Sequence, residues 1–323
     1  MKIAILGGGG CFGLNLARLL HSQAIECFGI GRTGPKPPAF WLAPQGYRFW
    51  AYHTLYDLEY IDRLLDEEKP DVVVNFAAQG EGAASFGHDC WRFYATNIVS
   101  LVRLVEAIRK KQWLKRFVHI GTSELYGSVD KPSKESDPLR PSSPYAISKA
   151  AFDLHLEAMH RIHGFPMNIV RPSNCYTPGQ QLYRIIPKAI ICALSMKKLP
   201  LHGGGKAQKS YLHADDLSRA ILAVITSAPL GTIYNCGPTA PMMIRTIVET
   251  CAEACGISFD ELVEETTDRI GQDAKYWLDS SELAKNTLWT PTVGLARGIE
   301  QVVHWVKTYP ELLQADTTFR MRS

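Results

Sequence analysis

Residues 2–13 read KIAILGGGGCFG, an apolar run followed by glycines that include positions 7, 10 and 13. The run predicts a short buried strand over Lys2 to Leu6, and the next residues predict a helix over Cys11 to His21. Glycines between a strand and a helix allow a tight turn and let backbone N–H groups approach a pyrophosphate. The stretch therefore predicts a dinucleotide site at the start of a Rossmann-type sheet. The residues predicted to bind this cofactor here are Gly7, Gly10, Cys11, Phe12 and Gly13.

The end of the second predicted strand, Ile25 to Ile30, bears on which dinucleotide is bound. Sites specific for NAD usually end this strand with an acid that holds the ribose 2′-hydroxyl. Here Gly31 occupies that position and Arg32 follows it. A small residue beside a guanidinium suits a 2′-phosphate, so the sequence favours NADP over NAD. In the alternative interpretation, Arg32 faces solvent or stacks on the adenine.

Strand and helix patterns alternate through the first half of the chain. Asp71 to Ala77 is a continuous apolar run, which is typical of a strand covered on both faces. This alternation predicts an α/β fold with a doubly wound parallel Rossmann sheet. Further strands are predicted at Tyr47–Tyr52, Arg116–Ile120 and Met167–Arg171, and helices at Leu58–Glu68, Trp91–Lys111 and Tyr145–His163.

The second half of the chain is less regular and predicts a smaller C-terminal substrate-binding lobe. We assign residues 1–171 and about 207–240 to the Rossmann dinucleotide-binding domain, and about 172–206 with 241–323 to the lobe. Helices are predicted at Gln181–Met196, Ala214–Ser227, Ile244–Cys255, Ser280–Lys285 and Leu295–Thr308, with one more strand at Thr232–Asn235.

Composition argues against several classes of function. Apolar residues make up 46% of the 323-residue chain, charged residues 21%, and the net charge is +3, ordinary values for a globular enzyme. The densest basic run is Arg109-Lys110-Lys111, so no nucleic-acid partner is expected. No apolar stretch of about 20 residues occurs, and consecutive glycines interrupt the amino-terminal run. We therefore expect no membrane association and a cytoplasmic protein.

The cysteine and histidine spacings predict no metal site. The eight cysteines include no Cys-x-x-Cys pair, and Cys251 and Cys255 share a predicted helix face without a histidine partner. We expect these thiols to be reduced. His155, His160 and His163 recur at helical spacing without carboxylates or thiols at ligand spacing, which is typical of a solvated helix surface.

Tyr145 and Lys149 give the clearest sign of chemistry. Residues four apart share one face of a helix, so the Lys149 ammonium can lie beside the Tyr145 hydroxyl and favour its ionised form. A phenol titrates near pH ~10, and bringing it near neutrality takes roughly 4 kcal/mol of differential interaction. Such a phenolate can act as a general base toward a sugar or alcohol hydroxyl while hydride leaves the same carbon.

With these residues placed, the chain resembles the extended short-chain dehydrogenase/reductase family, in its nucleotide-sugar epimerase and dehydratase branch. The likeness extends over essentially the whole length. The C-terminal segment from Asp268 to Pro291 looks most like the hexose 4,6-dehydratases. The motifs that carry the likeness are the glycine turn, Ala77-Ala78, Thr96-Asn97, Tyr145-x-x-x-Lys149, Arg171-Pro172-Ser173-Asn174 and the run from Ser210 to Asp216.

The resemblance implies a role for each matching position. Tyr145 would be the base at the sugar O4, Thr122 would hydrogen-bond the same oxygen, and Lys149 would anchor the nicotinamide ribose. Ala77-Ala78 and Asn97 would belong to the cofactor site, with Asn97 in the hydrogen-bond set around the tyrosine. The residues expected to bind the nucleotide-diphosphosugar are Asn174, Arg184, Lys209 and Arg269.

Glu124 discriminates between the reactions of this family. A 4,6-dehydratase needs a second base to remove the C5 proton once C4 is a ketone, and the resemblance places Glu124 there. Ser123 stands where many glucose-type dehydratases carry an acid that protonates the departing hydroxyl, so water or another group must supply that proton. A structural, hydrogen-bonding Glu124 is the alternative. The predicted catalytic set is Tyr145, Lys149, Thr122, Ser123 and Glu124.

The sequence therefore predicts an NAD(P)-dependent enzyme that modifies a nucleotide-diphosphosugar, with a 4,6-dehydratase preferred. It would oxidise C4, eliminate water across C5–C6 and return hydride to C6. A 4-epimerase or an NADPH-dependent 4-ketoreductase would need Tyr145 but not Glu124. Outside enzymes, the same fold could serve as a cofactor-sensing regulator. Relatives of this kind are commonly dimers, so a homodimer is expected.

Overall fold

The computed structural model describes residues 1–32, 34–35, 42–51, 57–80, 83–87, 89–267 and 273–318. Its strands are β1 (Lys2–Leu6), β2 (Glu26–Gly31), β3 (Arg48–Ala51), β4 (Val72–Asn75), β5 (Arg116–Ile120), β6 (Met167–Pro172), β7 (Asn174–Tyr176), β8 (Leu199–His202), β9 (Gln208–Lys209), β10 (Tyr211–His213), β11 (Ile233–Cys236), β12 (Met242–Met243), β13 (Val263–Thr266) and β14 (Lys275–Tyr276). Its helices are α1 (Cys11–Ser22), α2 (Leu58–Glu68), α3 (Trp91–Tyr94), α4 (Leu101–Ile108), α5 (Pro144–His163), α6 (Ile185–Leu194), α7 (Ala214–Ser227), α8 (Ile244–Cys255), α9 (Phe259–Leu262), α10 (Ser281–Thr287) and α11 (Leu295–Thr308).

A seven-stranded sheet forms the centre of the molecule, in the order β11-β6-β5-β4-β1-β2-β3. All its neighbouring strands pair in parallel. The strand order reverses direction between β1 and β4, and in open α/β sheets ligands bind outside the carboxyl ends of the strands at such a point. The predicted doubly wound parallel sheet is confirmed.

Apolar side chains on both faces of the sheet explain why its strands form. The central strands β1 and β4 are almost wholly buried, as their continuous apolar runs require. Helices α2, α4 and α5 pack on one face around Leu65, Val105 and Phe152. Helices α1 and α7 pack on the other face around Leu20 and Ile221. Each such buried side chain contributes about 1.5–3 kcal/mol.

The C-terminal part of the chain builds a second apolar core away from the large sheet. Helices α6, α8 and α11 pack together around Ile190, Ile247 and Ile299, which are fully buried. Three small sheets accompany them, in the orders β10-β7, β12-β9-β14 and β13-β8. These short strands have no counterpart among the predicted elements.

Most predicted helices are confirmed, and two differ in an instructive way. The helix predicted at Gln181–Met196 is wrong at both ends. Arg184 is extended, with ψ of 147°, and caps the observed helix Ile185–Leu194. Beyond its end, Met196 takes a φ of 54°, which a helix cannot continue. The helix predicted at Trp91–Lys111 exists, but residues Ala95–Ser100 form a π-helical segment within it.

The described residues also bear on membranes and metals. None of their helices combines the length and the apolar character that a bilayer span requires. Among these same residues, no three His, Cys, Asp or Glu side chains gather in a way that could hold a metal ion. All eight cysteines are free thiols.

Candidate active site

The glycine turn between β1 and α1 has the geometry of an anion site. Gly7 takes a φ of +78°, a region that favours glycine. A Cβ on Gly13 would lie 2.7 Å from the Gly7 carbonyl oxygen, so that position must also be glycine. Gly10 is the exposed, extended N-cap of α1, and no side chain caps the helix. Its first N–H groups are therefore available to a pyrophosphate, and the turn fits a dinucleotide.

The end of β4 forms the opposite side of this turn. A Cβ on Gly7 would lie 3.0 Å from the Ala77 nitrogen, which shows how closely the two backbones approach. Ala77 is buried and Ala78 is exposed. Cys11 is buried and Phe12 half-buried at the start of α1. The structure thus brings together the predicted cofactor residues of the turn and of the β4 end.

The end of β2 is built for a small residue. A Cβ on Gly31 would lie 3.1 Å from the Phe49 ring, so an acid side chain there would crowd that ring. Arg32 follows directly and is exposed. No carboxylate occupies the position at which NAD-specific sites usually hold the ribose.

Asn97 lies in the π-helical segment and is fully buried. Its Oδ1 accepts from the Gln79 N–H at 2.8 Å, and its Nδ2 donates to the Gln79 carbonyl at 3.0 Å and to Ser148 Oγ at 2.9 Å. Ser148 in turn donates to the Tyr145 carbonyl at 2.7 Å. Asn97 therefore ties the loop after β4 to the first turn of α5, which fits the predicted place in the hydrogen-bond set around the tyrosine.

The start of α5 positions Tyr145. Ser143 caps the helix by accepting from the Ala146 N–H at 3.1 Å, and Pro144 is its first residue. The Tyr145 N–H donates to Ser85 Oγ at 3.1 Å, and its half-buried ring packs edge-on against Phe93 at 6.3 Å. The tyrosine is thus fixed at the base of the helix, where its ring reaches the cleft.

The segment that follows β5 carries the other predicted catalytic residues. Thr122 Oγ1 accepts from the Glu124 N–H at 3.3 Å and caps a short 3₁₀ turn over Ser123–Tyr126. Thr122 and Ser123 are buried, whereas Glu124 is half-buried. The turn after β5 therefore leaves the Glu124 side chain partly accessible and keeps the Ser123 side chain buried.

Lys149 is 2% exposed, with its hydrogen bonds directed at β5. Its ammonium donates to the Ile120 carbonyl at 2.7 Å and lies 3.1 Å from His119 Nε2. Burial lowers the pKa of Lys149 from its ordinary 10.5 to about 8, partly opposed by the Asp153 carboxylate. The sequence placed this ammonium beside the tyrosine hydroxyl and did not anticipate its contacts with His119 and Ile120.

Tyr276 is a site residue that the sequence analysis did not single out. It is 6% exposed, and its hydroxyl donates to Asp273 Oδ2 at 2.7 Å. Burial raises its pKa strongly, and the neighbouring Glu124, Asp273 and Tyr145 raise it further. The strand that bears it, β14, packs against the turn Ser123–Tyr126, which bears Glu124. The sequence feature that could have identified Tyr276 is its place in the dehydratase-like C-terminal segment. Its position opposite Lys209 follows only from the pairing of β14 with β9.

Of the predicted substrate residues, Asn174 and Arg184 come from the lobe, whereas Lys209 lies in the segment assigned to the cofactor domain, on β9, which pairs with β12 and β14 of the lobe. Lys209 lies with its ammonium 5.0 Å from the centre of the Tyr276 ring. Arg184, at the N-terminus of α6, reaches toward the loop after β4, since a Cβ on Gly80 would lie 4.0 Å from its guanidinium. Asn174 opens β7. Arg269 lies outside the described residues.

Several buried polar atoms near these residues have no hydrogen-bond partner within the described part of the chain. They belong to Asn174 and Ser210, whose backbones are joined by a hydrogen bond of 3.1 Å, and to Ser173 and Thr177 on either side of β7. Native proteins leave few buried polar atoms unsatisfied, so such a group calls for an explanation. An ordered water or a polar ligand that reaches these atoms is a physical reason for it.

The family model for the NAD-dependent epimerase/dehydratase family matches residues 3–237. A dTDP-glucose 4,6-dehydratase of Streptomyces niveus is 30% identical over 318 residues, covering 95% of this chain and 93% of the relative. A trifunctional enzyme of Arabidopsis thaliana, named for UDP-glucose 4,6-dehydratase, 3,5-epimerase and reductase activities, is 30% identical over 255 residues, and the match spans 38% of that relative's length.

Solved structures agree with the sequence relatives. A dTDP-glucose 4,6-dehydratase of Streptomyces venezuelae, solved with NAD bound, superposes with a TM-score of 0.88 at 29% identity, covering 96% of this chain and 98% of the other. A UDP-glucose 4-epimerase of Thermus thermophilus, also with NAD, gives 0.87 at 26% identity, covering 96% and 100%. With its glycine turn, its Tyr-x-x-x-Lys helix and its two-core architecture, the chain belongs to the NAD-dependent epimerase/dehydratase family.

Proposed function

We propose that this chain is a nucleotide-diphosphosugar 4,6-dehydratase acting on a dTDP- or UDP-linked hexose. The observation that carries the proposal is the packing of both α5, which bears Tyr145, and β14, which bears Tyr276, against the turn that bears Glu124. A base for a hydroxyl proton and a carboxylate for a carbon-bound proton are the two groups that oxidation followed by elimination requires. The 4,6-dehydratases among its relatives support the same reaction.

The residues divide the reaction between them. Tyr145 takes the proton of the C4 hydroxyl, with Thr122 holding the same oxygen. A nicotinamide held by the glycine turn and Lys149 would supply the acceptor for hydride from C4 and the donor of hydride to C6. Glu124 would remove the C5 proton once C4 is a ketone, while the C6 hydroxide would leave as water after taking a proton from solvent. Glu124 would then return its proton to C5 as hydride adds to C6, and Tyr145 would lose its proton to solvent. Lys149 holds the ribose and supplies positive charge near the phenol when protonated.

The substrate would lie between two halves of the molecule. We propose that residues 1–171 and about 207–240 form the dinucleotide-binding domain and that the rest of the chain forms the nucleotide-diphosphosugar-binding lobe. Lys209 and Ser210 are the exception, since β9, which contains Lys209, and β10, which follows Ser210, pair with strands of the lobe and bring both residues to the substrate side. The separate apolar core around Ile247 and Ile299 supports this division. The unsatisfied oxygens of Asn174 and Ser210 suit the polar groups of the substrate, and the cations of Lys209 and Arg184 suit its diphosphate.

The experiment that tests this function is incubation of the purified protein with dTDP-glucose and UDP-glucose, followed by mass spectrometry. A dehydratase yields a 4-keto-6-deoxy sugar that has lost one water, with no net consumption of cofactor. Glu124→Gln should lower that yield by about 10²–10⁴-fold while leaving the fold intact. Glu282→Gln, an exchange on the surface of α10, is the matched control. Near-normal turnover in Glu124→Gln, with product that retains the water, would support a 4-epimerase instead.

We propose further that the cofactor is NADP rather than NAD. Two residues support this choice. Gly31 leaves no carboxylate to repel a 2′-phosphate, since a larger side chain there would crowd the Phe49 ring, and the Arg32 guanidinium can pair with that phosphate. Isothermal titration should then give tighter binding for NADP, and Arg32→Ala should remove the difference. Equal affinities for both cofactors in the unsubstituted protein would contradict the choice.

We also propose a homodimer formed through the helices beside the cofactor domain. Trp91 and Val99 on one helix and Ile147 and Leu154 on the next are 58%, 51%, 41% and 55% exposed, unusual for large apolar side chains of two adjacent helices. Light scattering should show a dimer that Val99→Glu with Leu154→Glu converts to monomer. Leu288→Glu, on a residue 90% exposed elsewhere, should leave the dimer unchanged.

A further inference from the structure

His119 stands between two nitrogen atoms that both donate hydrogen bonds. Its side chain, on β5, is fully buried and held edge-on against Phe152 at 4.8 Å. Its Nδ1 lies 3.0 Å from Asn75 Nδ2, and its Nε2 lies 3.1 Å from Lys149 Nζ. A neutral imidazole has one donor and one acceptor, so it cannot accept from both neighbours.

The backbone decides which ring nitrogen accepts. The Ala77 N–H donates to Asn75 Oδ1 at 3.1 Å, so the NH₂ of that amide must be the group that faces His119. An amide NH₂ only donates, and Nδ1 of His119 must therefore accept. Burial, with the charges of Lys149 and Arg171, lowers the pKa of His119 well below its usual value, so the ring is neutral. The ring proton is consequently on Nε2, directed at Lys149.

This proton has a direct consequence for Lys149. An ammonium cannot accept from Nε2–H, whereas a neutral amine can, and it still donates to the Ile120 carbonyl at 2.7 Å. The other acceptor within reach is Asp153 Oδ1, 3.6 Å from Nε2, which has no hydrogen-bond partner within the described residues. The second oxygen of Asp153 already accepts from Arg171 Nε at 2.8 Å. Among the described residues, Tyr126, Glu135 and Glu157 also contact Arg171 at the edge of this set.

We propose that His119, with its tautomer fixed by Asn75, is a positioning residue that sets the proton occupancy of Lys149. When Nε2–H donates to the lysine nitrogen, that nitrogen must be a neutral amine. A charged ammonium requires Nε2–H to point away from the lysine, toward Asp153 Oδ1 at 3.6 Å. His119 thereby sets the upper end of the pH range in which Lys149 is charged. The inference rests on the proposed function only for the effect of that charge on turnover.

Two measurements on the protein itself test this without any substrate. In ¹⁵N-histidine-labelled protein, long-range proton–nitrogen spectra should show His119 with Nδ1 unprotonated and Nε2 protonated. In [ε-¹³C]lysine-labelled protein, Lys149, identified by the signal lost in Lys149→Arg, should titrate about one pH unit higher in His119→Phe. The reason is that phenylalanine removes both the partner of the neutral amine and the donor that opposes the ammonium.

The sign of that change is decisive. A lower titration midpoint in His119→Phe would mean that His119 accepts from the ammonium, and an unchanged midpoint would mean that it only fills space. Either result overturns the proposal, as does the opposite tautomer in the unsubstituted protein, a result that does not depend on the variant folding. Phe117→Leu, on the same face of β5, is the control for loss of packing and should leave the midpoint unchanged.

Turnover gives a separate result. The descending limb of the kcat/KM profile should move to higher pH in His119→Phe, in step with the lysine midpoint, and a limb that stays in place while the midpoint moves would overturn the catalytic consequence. If no nucleotide sugar is turned over at all, the proposed function fails, whereas the two spectroscopic results still decide the state of His119 and Lys149.

Discussion

The two sides of the cleft differ in how the polar side chains assigned to the reaction and to the substrate are satisfied, although Asp153 Oδ1, behind Lys149, has no partner within the described residues. On the sheet side, the Asn97 side chain makes three hydrogen bonds to protein groups, and the Lys149 nitrogen donates to a carbonyl and lies within hydrogen-bond distance of a ring nitrogen. On the lobe side, buried oxygens of Asn174, Thr177 and Ser210 find no partner within the described residues.

The sheet side is preorganised before a ligand binds, and the lobe side is not. Side chains locked by their own hydrogen bonds hold a reacting group in place before a ligand arrives, which is what catalysis requires. Buried oxygens without partners cost free energy until a ligand satisfies them, which suits a binding surface. The sheet side should therefore determine rate, and the lobe side should determine affinity.

Tyr145→Phe should give the largest effect, because it removes the base from the preorganised side. We expect kcat to fall by about 10³–10⁴-fold with little change in KM. Asn174→Ala, on the lobe side, should instead raise KM by about tenfold, since it removes one polar contact to the substrate. Steady-state kinetics on the same nucleotide sugar measures both. Equal kcat losses in the two variants would break the division of roles.

The buried ammonium should appear in the pH dependence of stability. The folded pKa of Lys149 is about 8 against an ordinary 10.5, so between these pH values the unfolded chain holds more protons. Unfolding free energy should therefore rise with pH across that window by about 3 kcal/mol relative to Lys149→Met. Urea unfolding of both proteins at pH 7 and pH 10 isolates this contribution from those of other titrating groups. A constant difference would show that the ammonium is not destabilised by burial.

The smallest expected effects are on stability, and they compare one hydroxyl on each side of the cleft. Ser148→Ala removes a satisfied hydroxyl on the sheet side and should cost about 1 kcal/mol of stability. Thr177→Val removes an unsatisfied hydroxyl of similar shape on the lobe side and should be neutral or stabilising in the ligand-free protein. Urea unfolding of both variants gives the two values. A cost of the same size at Thr177 would mean that its hydroxyl has a partner, such as an ordered water.

The elements that the sequence predicted well are those with a long periodic pattern. The helices Leu58–Glu68, Ile244–Cys255 and Leu295–Thr308 are confirmed at their predicted bounds because each buries one apolar face along its length. The strands β9, β12 and β14 have two residues each, too few for any period to appear. The π-helical segment at Ala95–Ser100 has no propensity of its own that could reveal it.

The site divides in the same way. Tyr145, Lys149 and the glycine turn follow from spacing within one element, and the structure places them at one edge of the sheet. Tyr276 and His119 acquire their importance from contacts across more than 20 residues of chain, with Glu124 and with Lys149. Spacing does not encode such contacts. The burial of Ser123 could not be predicted from spacing either, because it results from the turn that follows β5.

The proposed 4,6-dehydration begins with oxidation at C4, for which Tyr145 is the base. The direct test is rapid mixing of cofactor-loaded Tyr145→Phe and Glu124→Gln with dTDP-glucose and UDP-glucose while the absorbance of reduced nicotinamide is followed. We predict that Glu124→Gln accumulates reduced nicotinamide, because oxidation proceeds and elimination does not, and that Tyr145→Phe shows none. If the nicotinamide is reduced as fast in Tyr145→Phe as in Glu124→Gln, Tyr145 is not the base for oxidation at C4.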